Sequence, residues 1–535
     1  MIEQWRKLQG LNNNNNNKES NIDSSLLEHF RREIWNKVPH LEEEKPGEVK
    51  VVNAAPLIDI TEDLRECARK EYGLDLADRD LQVFGKFDSN LLAGSIKVRP
   101  AVYIIYDAIA TGKLRRGQMI FEATSGNFGI ALGQIAKIGL NVVALVSRKL
   151  QEGVFDELRN GGTRTMNLDM DICPAPGMKM NANVLAAKAT ASNIRSQLAE
   201  FGFDPAIFDK SRSEVEGLLA SADIINLAKL LAKIYGCFCP EQYDNELNID
   251  VHRTVTGVEL DQQLREQGHS LSEFRIVCTF GTGGTSGGLS RYLMEKYGKK
   301  SLHVVFPLGD QDVAGIRTKG KAAGLRFYEP ERYAGQHEVD FGQAKRLLNF
   351  FVDKGHDIGE SSALALYAVM QMANFGSIGG KFVVIVADGI QKYKRSLETV
   401  QDRKGRLEVP LKEAVSNIGN YNRVVWIHTV YTPRKEGIEL IAKSLGVNES
   451  RISVPKASEV EQLLATQQIP KELDKALGGP DAKPLLVCMM GNTSLRVAQV
   501  LAEKGIVAES LTGGISALSQ GKGKQISELV RMATE

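Results

Sequence analysis

Two segments of this sequence hold residues in patterns that chemistry can use. The first is Lys97, set between Ile96 and Val98 directly after Gly94-Ser95. A lysine amine drawn partly out of water holds its proton less tightly, and the neutral amine can form a Schiff base with an aldehyde cofactor. The second is Phe280-Gly281-Thr282-Gly283-Gly284-Thr285-Ser286-Gly287-Gly288. Glycines let backbone amides turn inward and approach a ligand closely, and the helix that follows points its positive end at the same place. The spacing matches neither common nucleotide fingerprint. Counting from Gly281 and Gly283, Ser286 stands where the third glycine of G-x-G-x-x-G belongs, and no Lys-Ser or Lys-Thr pair closes a P-loop. A bound monophosphate fits this loop best.

The surrounding elements must bring such segments together. Met119-Ile120-Phe121 reads as a strand, Thr124-Ser125-Gly126-Asn127 as a glycine-bearing turn, and Phe128, Ala131, Leu132 and Ile135 recur at helical spacing up to Gly139. Asn141 to Val146 is the next strand. The same order of strand, glycine turn and helix recurs at Ile276 to Tyr297, followed by strands at His303 to Phe306 and Phe382 to Val386. Strands alternating with helices predict an α/β fold built on parallel sheets covered on both faces. Residues 1–45, with the Asn12 to Asn17 run, read as an extension, and 46–400 as the catalytic domain with a helical insertion at about 178–235. Residues 401–420 read as a linker and 421–535 as a second, smaller α/β domain.

Composition narrows the class. The 535 residues carry 67 Lys plus Arg against 66 Asp plus Glu, a net charge of +1, which gives no electrostatic case for nucleic acid or an anionic membrane. No apolar run approaches the ~20 residues that span a bilayer. The start lacks the apolar stretch of a secretory signal, and six cysteines in this length make no disulfide framework. A cytoplasmic enzyme is expected. Cys237-Phe238-Cys239 has no second pair at zinc spacing, and the eight histidines form no metal motif, so no metal is expected.

Lys97, Thr124-Ser125-Gly126-Asn127 and Gly281 to Thr285 occur in the order and at about the separations of one family. The chain resembles the fold-type II (tryptophan synthase β-like) pyridoxal-phosphate enzymes, in particular the cysteine synthase and cystathionine β-synthase group, over residues 50–400. That resemblance implies two parallel-sheet subdomains, a homodimer and pyridoxal 5'-phosphate as cofactor. It implies that Lys97 holds the cofactor as an imine and moves protons at the substrate's α-carbon. Gly281, Thr282, Gly283, Gly284 and Thr285 would cup the phosphate, and Asn127 would meet the ring oxygen. Thr124, Ser125 and Gly126, with Gln242 from a Gln-Tyr-Asp-Asn segment, would hold the substrate carboxylate. In Gly359-Glu360-Ser361-Ser362-Ala363, Ser361 matches the hydroxyl that meets the pyridine nitrogen, with Ser362 the alternative. A hydroxyl partner leaves that nitrogen largely unprotonated, which favours expulsion of a β-leaving group. The implied reaction is β-replacement on O-acetylserine or O-phosphoserine through an α-aminoacrylate, with a sulfur nucleophile giving cysteine or a cysteine-like amino acid. Val98 and Phe128 depart from the Asp and Thr usual in the group. Two further chemistries stay open: an amine nucleophile, as in the 2,3-diaminopropionate synthases, and β-elimination from cysteine.

The C-terminal segment resembles a rhodanese domain. Val487-Cys488-Met489-Met490-Gly491-Asn492-Thr493-Ser494 joins a strand to a helix, and Gly513-Gly514-Ile515 follows. Amides at a helix N-terminus stabilise a thiolate or persulfide, so Cys488 would carry sulfur, drawn from a donor protein or a persulfide. Thr493 and Leu518 replace the Arg and Trp usual there, which leaves a non-catalytic docking or regulatory module as the alternative.

Overall fold

The computed structural model describes residues 22–45, 47–77, 80–124, 126–147, 150–168, 184–309, 311–375, 380–393, 407–428, 435–479, 482–488, 491–504 and 506–518. Ser125 and the Asn12–Asn17 run lie outside them, as do residues 178–183 of the helical stretch and 401–406 of the linker. Among the described residues no helix is long and apolar enough to cross a membrane.

Sixteen strands are described. They are β1 (His40–Lys45), β2 (Glu48–Val52), β3 (Leu57–Asp59), β4 (Gln82–Phe87), β5 (Met119–Ala123), β6 (Asn141–Val146), β7 (Arg164–Asn167), β8 (Arg275–Thr279), β9 (Leu302–Pro307), β10 (Gly335–Val339), β11 (Lys381–Val386), β12 (Glu408–Val409), β13 (Arg423–Trp426), β14 (Ile452–Ser453), β15 (Pro484–Val487) and β16 (Glu509–Leu511). A six-stranded sheet runs β10-β9-β8-β11-β4-β3, parallel except for the β3 edge, and a three-stranded sheet runs β5-β6-β7, all parallel. The expected parallel α/β architecture is therefore present.

Alternation along the strands explains the layering. In β11, Phe382, Val384 and Val386 face one apolar cluster with the helices Phe341–Asp353 and Glu360–Phe375, while Val383 and Ile385 face another with the helices Gly257–Glu266 and Gly284–Tyr297. Ala144 and Val146 of β6 join the first cluster, so the two sheets share a core. Phe121, Ala123, Val143 and Leu145 point the other way, onto the helices Val184–Glu200, Pro205–Ala220 and Ile224–Ile234. The stretch read as an insertion thus covers one face of the smaller sheet. Burial of side chains of this size contributes about 1.5–3 kcal/mol each.

The extension also does more than its composition predicts. The helix Ser24–Glu33 buries Leu26, Leu27 and Phe30, and with Trp35 it packs on Tyr103 and Tyr106 of the helix Val98–Ala110. Beyond residue 406 a separate sheet runs β12-β16-β15-β13-β14, all parallel, with apolar clusters on its two faces. Residues 407–420, read as linker, instead carry β12 and the helix Leu411–Ser416, because Val409 and Ala414 are buried in one of those clusters.

Candidate active site

Lys97 is the N-cap of the helix Val98–Ala110, whose thirteen residues are all buried. A helix this rich in apolar residues belongs in the interior, with the charge of Arg99 paired there, and it draws the lysine in with it. Pro100 sits in the first turn, where its missing N–H costs nothing. The segment is fixed at both ends. Ile96 N donates to Ala387 O at 2.7 Å, and Ser95 pairs with Asp388 just past β11. Two residues on, the Arg99 guanidinium binds Asp88 Oδ1 at 2.6 Å and Glu259 Oε2 at 2.5 Å, and Lys86 Nζ binds Glu259 Oε1 at 2.5 Å, all four side chains fully buried.

The Lys97 amine donates to Thr282 Oγ1 at 3.3 Å. Burial pushes its pKa down to about 8, helped by the positive charge of Arg317. Thr282 Oγ1 also accepts from Asn248 Nδ2 at 3.0 Å and from Gly284 N at 3.3 Å. Gly281 leaves room before the amine: a Cβ there would stand 2.9 Å from Gly315 O and 3.8 Å from Lys97 Nζ. Gly283 has φ +91°, a conformation that side chains rarely adopt, and Gly284 opens the fourteen-residue helix Gly284–Tyr297. The loop is a cradle that a Cβ would fill, at the positive end of a long helix, one hydroxyl away from a partly deprotonated amine. These residues fit a phosphate monoester whose other end carries an aldehyde. Thr285 Oγ1 turns aside to His252 Nε2 at 3.3 Å, and burial keeps that imidazole neutral.

The glycine turn after β5 faces a different partner. Thr124 Oγ1 accepts from Gly126 N at 3.1 Å and Gly129 N at 3.2 Å, which caps the helix Asn127–Ala136. Gln242 is buried beside it and donates from Nε2 to Ala123 O at 3.0 Å. Thr124, Gly126 and Gln242 are thus brought together. Glu122 accepts the Gln242 N–H at 3.3 Å, and burial raises its pKa to about 8. Asn127 donates from Nδ2 to Asp388 Oδ2 at 2.7 Å, next to the bridge that anchors Ser95. Ser361 and Ser362 open the helix Glu360–Phe375, and Gly359 N donates to Asp388 O at 2.8 Å. Ser362 Oγ accepts Ala387 N–H at 3.2 Å. Ala387 and Asp388 therefore tie Ser95-Ile96, Asn127 and the Gly359–Ser362 turn to the end of one strand.

The sequence profile described as "Pyridoxal-phosphate dependent enzyme" matches residues 70–389, a span that contains the lysine, the glycine turn, the cradle and the serine turn. The chain belongs to this family. Curated relatives include a cysteine synthase of Staphylococcus aureus, 24% identical over 328 residues and covering 59% of this chain and 88% of its own length. A probable cysteine synthase of Bacillus subtilis is 26% identical over 325 residues, covering 58% and 88%. Among solved structures, the O-acetylserine dependent cystathionine beta-synthase from Helicobacter pylori is 21% identical with a TM-score of 0.46, covering 63% of this chain and 94% of that one.

In this pyridoxal-phosphate enzyme both departures noted from the sequence are core residues. Val98 and Phe128 pack in the apolar cluster around the helix Val98–Ala110. Two side chains at the site escape a reading by motif. Arg317 is buried, its Nη2 donates to Tyr243 OH at 2.9 Å, and its backbone N donates to Phe280 O at 2.8 Å at the mouth of the cradle. Lys392 is buried with Nζ 2.5 Å from Asn127 Oδ1. The signal for Arg317 is a lone charge after the apolar run Val313-Ala314-Gly315-Ile316.

Cys488 stands in the C-terminal sheet, at the end of β15. Its Sγ accepts from Gly491 N at 3.1 Å and from Ser494 Oγ at 3.2 Å, and the helix Asn492–Glu503 begins directly after. Ser494 Oγ also meets Ser510 Oγ at 2.8 Å.

Proposed function

We propose that the enzyme catalyses β-replacement on a serine ester whose leaving group is an anion, of the O-phosphoserine type, with a sulfur nucleophile. The observation that carries the choice of ester is Arg317, a permanent cation buried close enough to Lys97 for its charge to loosen the amine's proton. A buried cation whose charge reaches the Lys97 amine is stabilised by an anion delivered beside it. A phosphate ester supplies it, and an acetyl ester does not. A guanidinium also matches a phosphate's paired oxygens in geometry.

Pyridoxal phosphate supplies the electron sink that makes the α-proton of a bound amino acid acidic. The chain's own residues do the rest. Lys97 would hold the cofactor until the substrate's amine displaces it, and the freed Nζ then takes the α-proton. As the Cβ–O bond breaks, its electron pair leaves with phosphate toward Arg317. The nucleophile's sulfur bonds to Cβ, and Lys97 returns a proton to Cα. Thr124, Ser125, Gly126 and Gln242 hold the substrate carboxylate, Asn127 the ring oxygen, and Gly281 to Thr285 the phosphate of the cofactor. Ser361 meets the pyridine nitrogen. Its neighbour Ser362 receives the Ala387 N–H, which ties that turn to the end of β11.

The test is a comparison of kcat/KM for O-phosphoserine and O-acetylserine with sulfide. Arg317→Leu should lower the first by about ten- to a hundredfold, the range for a lost charged hydrogen bond, and leave the second within a few-fold. Equal loss on both esters would remove Arg317 as the selector. Lys97→Ala, which cannot hold the cofactor covalently, should lose the visible band of the lysine-bound form.

For the C-terminal module we propose that Cys488 takes the outer sulfur of a persulfide donor, the donor's thiol leaving, and that two equivalents of a thiol reductant then release it as sulfide for the β-replacement. Two donors aimed at Sγ beside a helix N-terminus support a sulfur-carrying role there. Cys488→Ser should impair turnover with a persulfide donor and leave turnover with free sulfide intact. Equal rates with the persulfide donor would reduce the module to docking or regulation.

A further inference from the structure

Lys392 has no role in the chemistry above, yet it is buried at the centre of the cofactor-facing residues. Its ammonium contacts four groups. It donates to Asn127 Oδ1 at 2.5 Å and to Gly94 O at 3.4 Å, stands 3.4 Å from Asp388 Oδ2, and lies 5.6 Å from the centre of the Tyr393 ring. Asp388 Oδ2 in turn accepts from Asn127 Nδ2 at 2.7 Å and from Tyr393 OH at 2.6 Å. The two ends of an asparagine amide have nearly the same shape and opposite chemistry, so neighbours must decide which way it points. An ammonium can only donate and a carboxylate can only accept. With Lys392 on one side and Asp388 on the other, the Asn127 carbonyl is held toward Lys392 and the NH₂ end is turned to the opposite side.

We propose that Lys392 is a positioning residue that fixes the amide of Asn127, so that an N–H rather than a C=O faces the ring oxygen of the cofactor. The orientation matters because that oxygen is an anionic acceptor. A flipped amide would set two acceptors against each other and cost the hydrogen bond as well as the repulsion. Lys392 also ties Asn127 to Gly94, three residues before Lys97, so the ring-oxygen contact and the amine are set by one cation. The inference rests on the reading that Asn127 meets the cofactor, and the experiment separates the two.

Apo-protein of wild type, Lys392→Met, Lys392→Arg, Asn127→Ala and the double variant Asn127→Ala/Lys392→Met would be titrated with pyridoxal phosphate. Affinity is read by equilibrium dialysis and the visible band of the bound cofactor by absorption. Lys392→Met should weaken affinity about tenfold or more and shift the band, and Lys392→Arg should restore both. In the Asn127→Ala background, Lys392→Met should change neither readout further. The same loss in both backgrounds, or an unmoved band and affinity in Lys392→Met, would overturn the inference. Normal affinity and band in Asn127→Ala would sink the reading it rests on. Should Lys392→Met fail to accumulate, Lys392→Leu, which likewise removes the charge and the donor, supplies the same comparison.

Discussion

The pKa of Lys97 near 8 gives the site its pH behaviour. Cofactor capture by the apo-enzyme needs the neutral amine, so the capture rate should rise with pH and level off above about 8, as followed by stopped-flow absorption. Removing the Arg317 charge favours the protonated amine, so Arg317→Leu should move that midpoint upward; an unmoved midpoint would mean that burial alone sets it. The same shift sets a stability slope. The unfolded chain binds this proton up to the ordinary lysine value of 10.5 and the folded apo-protein only up to about 8, so this lysine's contribution makes apo-protein stability rise with pH across that window. Lys97 was legible in the sequence because the apolar residues on either side already predict its burial. The roles proposed for Arg317 and Lys392 were not, although Asp388 to Tyr393 resembles the family's final strand-turn, because such roles depend on where a distant part of the chain places each cation.

The helix Gly284–Tyr297 illustrates a mixed reading at the scale of an element. Gly281 to Gly288 looks like one phosphate loop in the sequence, yet its second half does another job. A Cβ at Gly288 would lie 2.5 Å from both Ile249 O and the His252 side chain, and one at Gly287 would lie 3.1 Å from Ile249 Cδ1. These glycines let the helix close against residues 247–256, the segment that holds Asn248 against Thr282. Gly288→Ala should therefore destabilise the protein by about 1–3 kcal/mol, the range for overpacking, and weaken cofactor affinity with it. Gly320→Ala, with nothing within 4 Å, is the control expected to be neutral in the same thermal melt. Composition reveals that glycines cluster; only packing distinguishes one that admits a ligand from one that admits a helix.

Across the whole molecule, the parts that sequence patterning leaves at the margins are built into the core. Residues 24–35 wrap the helix that bears Lys97, residues 184–234 form a layer of the smaller sheet, and residues 408–416 begin the C-terminal one. Apolar residues at helical spacing from Leu26 to Trp35 leave docking open beside a tail in the sequence, but the partner of a buried face has no local signature, which is why the other two segments read as insertion and linker. The buried ion group Lys86, Asp88, Arg99 and Glu259 links distant parts of the chain beside the site. Glu259 also accepts the Ala55 N–H at 2.7 Å. Glu259→Gln should cost about 3–5 kcal/mol by leaving buried cations underneutralised. Chemical denaturation of the apo-protein measures it, and a loss below about 1 kcal/mol would show that the group is well compensated without its carboxylate.

The anchoring of Ser95 and Ile96 by Ala387 and Asp388 has a consequence for how the protein is made. Those two residues follow Lys97 by about 290 positions, which at a synthesis rate of ~5–20 residues per second is roughly 15–60 s on the ribosome. During that interval the lysine lacks these anchors, and a solvated amine at its ordinary value of 10.5 is mostly protonated and condenses slowly with an aldehyde. Fast loading should therefore wait for the last strand of the large sheet, so the colour of the bound cofactor should report that β11 has reached the segment before Lys97.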